Sequence, residues 1–154
     1  MLQVNTAAPD FSLPNQAADD ITLAGFKGNK NVVLYFYPKD DTSGCTLEAQ
    51  QFSALINEFA ANDTVIIGVS KDSCDSHQHF INKYELKVEL ISDSEGKLCE
   101  KYAVWQEKEK NGIKKMGIVR STFIINKAGQ LADVEYGVSA DGHAQRVLNK
   151  IKAL

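Results

Sequence analysis

The sequence predicts an α/β fold built on a mixed central sheet, and three observations carry that reading. Short apolar runs rich in β-branched residues alternate along the chain with helical patterns. A late turn signal separates two runs that can pair back on each other. The 154 residues, 44% hydrophobic and 24% charged, suit a single globular domain spanning residues 1–154 with a real core.

Taken in order, FSLP (11–14) and ITLAGF (21–26) predict a small added hairpin at the N-terminus. NVVLYFY (31–37) reads as a buried strand. A helix follows from Cys45 to Ala60, where Phe52, Leu55, Ile56 and Phe59 fall on one amphipathic stripe. TVIIGVS (64–70) is the next buried strand. SCDSHQHFINKY (73–84) is a second helix with Phe80, Ile81 and Tyr84 inward, and VELIS (88–92) a shorter strand. A short helix covers EGKLCEKY (95–102). STFIIN (121–126), the turn NKAGQ and LADVEYG (131–137) read as a hairpin. A last helix runs from Gly142 to Ile151 with Val147, Leu148 and Ile151 inward. Strands alternating with helices imply parallel pairing through crossovers, and the closing hairpin makes the sheet mixed. A thioredoxin-like sandwich, its sheet flanked by helices, fits this order. No repeat, low-complexity tract or linker divides it.

Net charge is −3, which speaks against a nucleic-acid surface or an anionic membrane as partner. No apolar run is long enough to span a bilayer. MLQVNTAAPDF lacks the basic start and apolar run of a signal peptide. Cys45, Cys74 and Cys99 are odd in number and widely spaced, unlike a disulfide framework. Free thiols without a signal lead us to expect the cytoplasm.

Cys45 is the residue with the clearest chemical context. It follows the strand NVVLYFY at the start of a helix, at the sheet edge where open α/β folds place ligand sites. The positive end of the helix dipole and free backbone N–H groups there favour thiolate, the nucleophilic form. Gly44 permits a tight turn and close approach of a small substrate. Pro38 ends the strand stiffly and can shield the pocket, and the Thr42 hydroxyl can hydrogen-bond beside the thiol. The plain alternative is a loop followed by a small buried cysteine.

Pro38, Thr42 and Cys45 form the spacing P-x-x-x-T-x-x-C, and FYPKDDTSGCT resembles the active-site segment of the peroxiredoxins, most closely the bacterioferritin comigratory, or Q-type, subfamily. APDFSLP (8–14), GVSKDS (68–73), YAVWQEK (102–108), MGIVRSTFIIN (116–126) and GHAQRVL (142–148) resemble later landmarks in the right order. The resemblance implies a thioredoxin fold and a thiol peroxidase acting on hydrogen peroxide or an alkyl hydroperoxide. It implies no metal, haem or flavin cofactor, recycling by thioredoxin or a similar thiol reductant, and a monomer. Residue by residue, it implies that Cys45 is the attacking thiolate and that Thr42 positions the peroxide. Arg120 is implied as the charge that stabilises thiolate and leaving oxygen, Pro38 as the shield, and Glu48 as the group behind them that holds Arg120.

Two positions depart from the family pattern. Ser43 stands where many relatives carry a second proline. Gln50 stands where many carry a resolving cysteine, five residues after the attacking one. Some relatives place that cysteine further along the next helix, near Ile81 here. Three routes therefore stay open: resolution by Cys74, by an external thiol, or by Cys99 or an intermolecular bond.

Among competing readings, CDSHQH (74–79) could be a metal cluster, against which stand solvated helix histidines. His143 reads as structural or exposed. A disulfide reductase would need C-x-x-C where CTLE stands. A non-catalytic thioredoxin-fold binding or chaperone module, or a redox sensor, is the alternative from another class.

Overall fold

The computed structural model describes residues 1–154. At its centre is a five-stranded sheet in the order β5-β4-β3-β8-β9. β3 (Asn31–Phe36), β4 (Thr64–Ser70) and β5 (Glu89–Ser92) are mutually parallel. β8 (Ser121–Ile125) runs antiparallel beside β3, and β9 (Leu131–Tyr136) antiparallel beside β8. These are the strands and the mixed pairing that the sequence predicts. The turn between β8 and β9 is built by Asn126, whose Oδ1 accepts from Ala128 and Gln130 N–H, with Gly129 at φ 81°.

Strand alternation divides the core into two faces. Val32, Leu34 and Phe36 pack with the N-terminal segment, α4 (Lys97–Lys101) and Tyr102. Val33, Tyr35 and Tyr37 pack beneath α1 (Ser43–Ala54), α2 (Ile56–Ala61), α3 (Cys74–Tyr84) and α5 (His143–Lys152). The N-terminal hairpin is present as β1 (Ser12–Pro14) and β2 (Asp20–Thr22). An isolated bridge from Asn15 to Ile91 ties it to the outer edge of β5.

Two features differ from the sequence reading. The helix expected over 45–60 begins earlier, at Ser43, and breaks at Leu55 into α1 and α2. The Leu55 N–H bonds three residues back to Phe52, and the break leaves Phe52 and Phe59 both fully buried. The second is a hairpin that the sequence reading leaves out, β6 (Trp105–Lys110) with β7 (Ile113–Ile118). It turns at Asn111 and Gly112, with φ of 54° and 77°, and leads straight into Arg120.

Gly68 is the tightest point of the sheet. A Cβ there would lie 2.7 Å from Leu90 Cδ2 and 2.7 Å from Tyr35 Cζ, two fully buried side chains. Gly68→Ala is expected to destabilise the fold by about 1–3 kcal/mol through overpacking. Urea denaturation checks this, and an unchanged midpoint would refute it.

Candidate active site

β3 ends at the buried Tyr37, and the chain crosses Pro38–Thr42 before α1 begins. Cys45 is the third residue of that helix and 2% exposed. The stripe it starts, Cys45, Glu48, Ala49 and Phe52, is buried throughout. The first helical bond comes from Thr46 N–H to Thr42 C=O, so the N–H groups of Ser43, Gly44 and Cys45 have no acceptor in the protein. They sit at the positive end of the helix dipole, beside the sulfur.

Arg120 enters from the start of β8. Its Nη1 donates to Glu48 Oε1 at 2.6 Å and its Nη2 to Cys45 Sγ at 3.3 Å. One guanidinium fork thus spans a carboxylate and a thiol that are separated by a single helical turn. Gly44 gives it room: a Cβ there would stand 3.2 Å from Arg120 Nη2. The helical backbone at Gly44 needs no left-handed conformation, so space, rather than a turn, accounts for the missing side chain.

The electrostatics follow from burial. Glu48 is completely buried, and its Oε2 has no hydrogen-bond partner. Burial pushes its carboxyl up to about 7, against the opposing pull of Arg120. Burial also works against charge on Arg120, but the Glu48 carboxylate and the Cys45 sulfur outweigh it and raise its pKa. Below them, burial raises the Tyr35 hydroxyl well above its ordinary value, with Glu48 and Cys45 adding to the rise.

His143 is buried rather than exposed, and its Nε2 lies 2.7 Å from Thr122 Oγ1. Burial lowers its pKa to about 4. The linkage signs of these two groups oppose each other. Between pH 4.5 and about 7 the folded state keeps a proton on Glu48 that the unfolded chain has lost, so stability falls as pH rises. Between about 4 and 6.5 the unfolded chain binds a proton on His143 that the folded state does not, so stability rises with pH. Glu48→Gln removes the first slope and should uncover a rise across pH 4 to 6.5 in urea-denaturation series. A variant profile parallel to the wild type would contradict this.

The other residues singled out in the sequence are placed as follows. Thr42 is exposed at the N-cap of α1, and its hydroxyl donates to the Lys39 carbonyl at 2.9 Å. Pro38 is exposed at the start of the crossing segment. Cys74 is half-buried at the first position of α3, which Ser73 caps by accepting from Ser76 N–H. Cys99 is fully buried, with the Asp93 carboxylate accepting its backbone N–H, and burial together with Asp93 raises its thiol pKa. All three cysteines are free.

Reading the histidines of α3 as solvated holds for His79 alone. His77 is fully buried, with Nδ1 2.7 Å from Asp40 Oδ2. Its burial was readable in principle, because His77, Phe80, Ile81 and Tyr84 share the stripe that turns α3 inward.

Comparison with known proteins identifies the family. The AhpC/TSA family model matches residues 4–134. The chain belongs to the AhpC/TSA family. The peroxiredoxin Bcp of Bacillus subtilis is 42% identical over 151 residues, 98% of this chain and 96% of that one. The peroxiredoxin Bcp of Escherichia coli is 34% identical over the same share of each. Among solved structures, the Xanthomonas campestris bacterioferritin comigratory protein, studied for alkyl peroxide reduction, superimposes with a TM-score of 0.91 at 37% identity over 98% of each chain. A cysteine-to-serine variant of the Xylella fastidiosa PrxQ gives 0.93 at 34% identity, over 99% of this chain and 97% of that one. The thioredoxin-like fold read from the strand order is the fold of these AhpC/TSA relatives.

Proposed function

We propose that this peroxiredoxin reduces hydrogen peroxide and alkyl hydroperoxides through Cys45, and that a thiol donor then restores it. The observation that carries the reading is the single guanidinium of Arg120 held between Glu48 and Cys45, beside the free N–H groups of the first turn of α1. Such an arrangement stabilises thiolate before attack and anionic charge during it.

In the first step the Cys45 thiolate attacks the terminal oxygen of R–O–O–H. A sulfur–oxygen bond forms and the oxygen–oxygen bond breaks. Sulfur is oxidised to sulfenic acid, and the departing alkoxide or hydroxide takes a proton from solvent. Arg120, fixed in place by Glu48, faces the charge as it moves from sulfur to the leaving oxygen. Thr42, exposed at the N-cap of α1, would position the peroxide, and Pro38 would limit solvent at the site. In the second step a thiol attacks the sulfenic sulfur and water leaves. A second thiol reduces the resulting disulfide and frees Cys45. Thioredoxin or a similar dithiol is the proposed donor, and a cytoplasmic monomer the proposed working form.

Cys74 is the proposed internal resolving thiol, with an external thiol as the competing route. Cys74 lies on α3, the helix against which the segment before Cys45 rests, which favours it over the buried Cys99. One equivalent of hydrogen peroxide followed by trapping and peptide mass mapping tests both levels. Oxidation should fall first on Cys45. Oxidation elsewhere with Cys45 intact would remove it from its role. A Cys45–Cys74 disulfide supports the internal route, and a lasting Cys45 sulfenic acid with free Cys74 excludes it. A binding or chaperone module would consume no peroxide even with excess dithiothreitol.

A further inference from the structure

The segment between β3 and α1 is held by side chains that have no part in the peroxide chemistry. Asp40, 8% exposed, is at the centre. Its Oδ1 accepts from the Tyr37 hydroxyl at 2.5 Å, and its Oδ2 accepts from Ser76 Oγ at 2.8 Å and faces His77 Nδ1 at 2.7 Å. Its backbone N–H donates to Asp72 Oδ2, which also accepts from Ser70 Oγ at the end of β4. The next residue, Asp41, has a left-handed backbone at φ 59°, and its carboxylate accepts from Lys83 and Tyr84 at the far end of α3. Two consecutive acids therefore pin the segment along α3, three and two residues before the first residue of the helix that carries Cys45.

Hydrogen-bond chemistry fixes the proton count of the buried pair. His77 Nε2 lies 2.9 Å from the Ile91 carbonyl oxygen. A carbonyl can only accept, so Nε2 carries a proton. The contact between Nδ1 and Asp40 then needs a second proton. A proton shared by an imidazole and a carboxyl rests on the imidazole, the stronger base, and Tyr37 and Ser76 donate to the carboxylate oxygens that this leaves on Asp40. Such a charge, buried with its partners in place, is costly to break one side at a time.

We infer that Asp40 and His77 form a buried imidazolium–carboxylate pair whose task is to position the Pro38–Cys45 segment for peroxide attack, and this rests on Cys45 being the attacking thiol. They are positioning residues: the pair fixes where α1 starts, and so where the sulfur meets Arg120. When the pair is broken the segment loosens. Cys45 then gains exposure but loses its alignment with Arg120 and the N–H groups. The same sulfur therefore reacts faster with a reagent that needs only access, and slower with peroxide, which needs the assembled site.

Asp40→Asn and His77→Gln test this. Each should slow peroxide attack by at least about tenfold while raising the rate at which iodoacetamide alkylates Cys45. Faster amide exchange should be confined to residues 38–46 and the first turn of α3, with β3 and β4 still protected. Two variants with wild-type rates in both reactions would overturn the inference, as would faster exchange spread evenly over the sheet. The wild-type protein supplies an independent test, since its nitrogen NMR spectrum should show both ring nitrogens of His77 protonated. A neutral ring there would also overturn the inference. If the wild type itself consumes no peroxide, it is the role of Cys45 that fails, while ring protonation and exchange still judge the pair.

Discussion

Cys45→Ser is expected to abolish peroxide consumption. A serine hydroxyl in the same place stays protonated at any working pH, and an alcohol is a far poorer nucleophile than a thiolate. Removing an enzyme's nucleophile typically costs on the order of 10⁴-fold or more. Neither remaining cysteine is equipped to substitute. Cys99 is fully buried, and its burial and the Asp93 carboxylate both disfavour its thiolate. Cys74 is more accessible but receives no hydrogen bond from the Arg120 fork, whose nitrogens go to Glu48 and Cys45. Peroxide loss followed with excess dithiothreitol measures the effect. Turnover by the variant within a hundredfold of the wild type would disprove the assignment.

Legibility in the sequence followed the physics of each element. β3, β4 and β8 are buried on both faces, so their runs of Val, Ile and Phe stood out without any need for alternation. The β6–β7 hairpin projects from the domain, and its WQEKEK and IKKMGI strands are mostly polar and exposed. Apolar pattern therefore could not find it, although Asn111-Gly112 is the strongest short hairpin signal available. Within the site, Glu48 was named through the resemblance to the peroxiredoxins, and the structure places it on the buried stripe of α1 one helical turn from Cys45. Arg120 lies 75 residues from Cys45, and only resemblance to the peroxiredoxins linked the two. Asp40 and His77 escaped for a related reason. Each reads as an ordinary polar residue, and their burial depends on a partner 37 residues distant. His77 does sit on the inward stripe of α3, but its pairing with Asp40 leaves no periodic trace, because what makes the burial tolerable is the partner rather than the residue.

Arg120→Ala should lower the second-order rate constant for peroxide attack by about 10²–10³-fold, the usual consequence of deleting a preorganised charge at a reacting centre. The loss has two parts. The direct part is the Nη2–Sγ contact, which favours thiolate and then the transferring charge. The indirect part is Glu48. Burial already holds that carboxyl near 7 even with the guanidinium 2.6 Å away. Without Arg120 the opposing pull vanishes, and Glu48 is driven further toward its neutral form. The fold is spared a naked buried anion, so stability falls by less than the ~3–5 kcal/mol usual for half of a buried pair. Arg120→Lys should recover activity only in part. One ammonium on a flexible stem cannot reproduce a fork whose two nitrogens reach Oε1 and Sγ together. Glu48→Gln separates the two parts, because it keeps Arg120 charged while replacing the acceptor that aims it. Its rate loss should be smaller than that of Arg120→Ala, and the double variant should lose little more than Arg120→Ala alone, since both changes act through one guanidinium. Single-turnover rates for the three variants decide the matter. Fully additive losses would mean that Glu48 acts on Cys45 by a route other than Arg120.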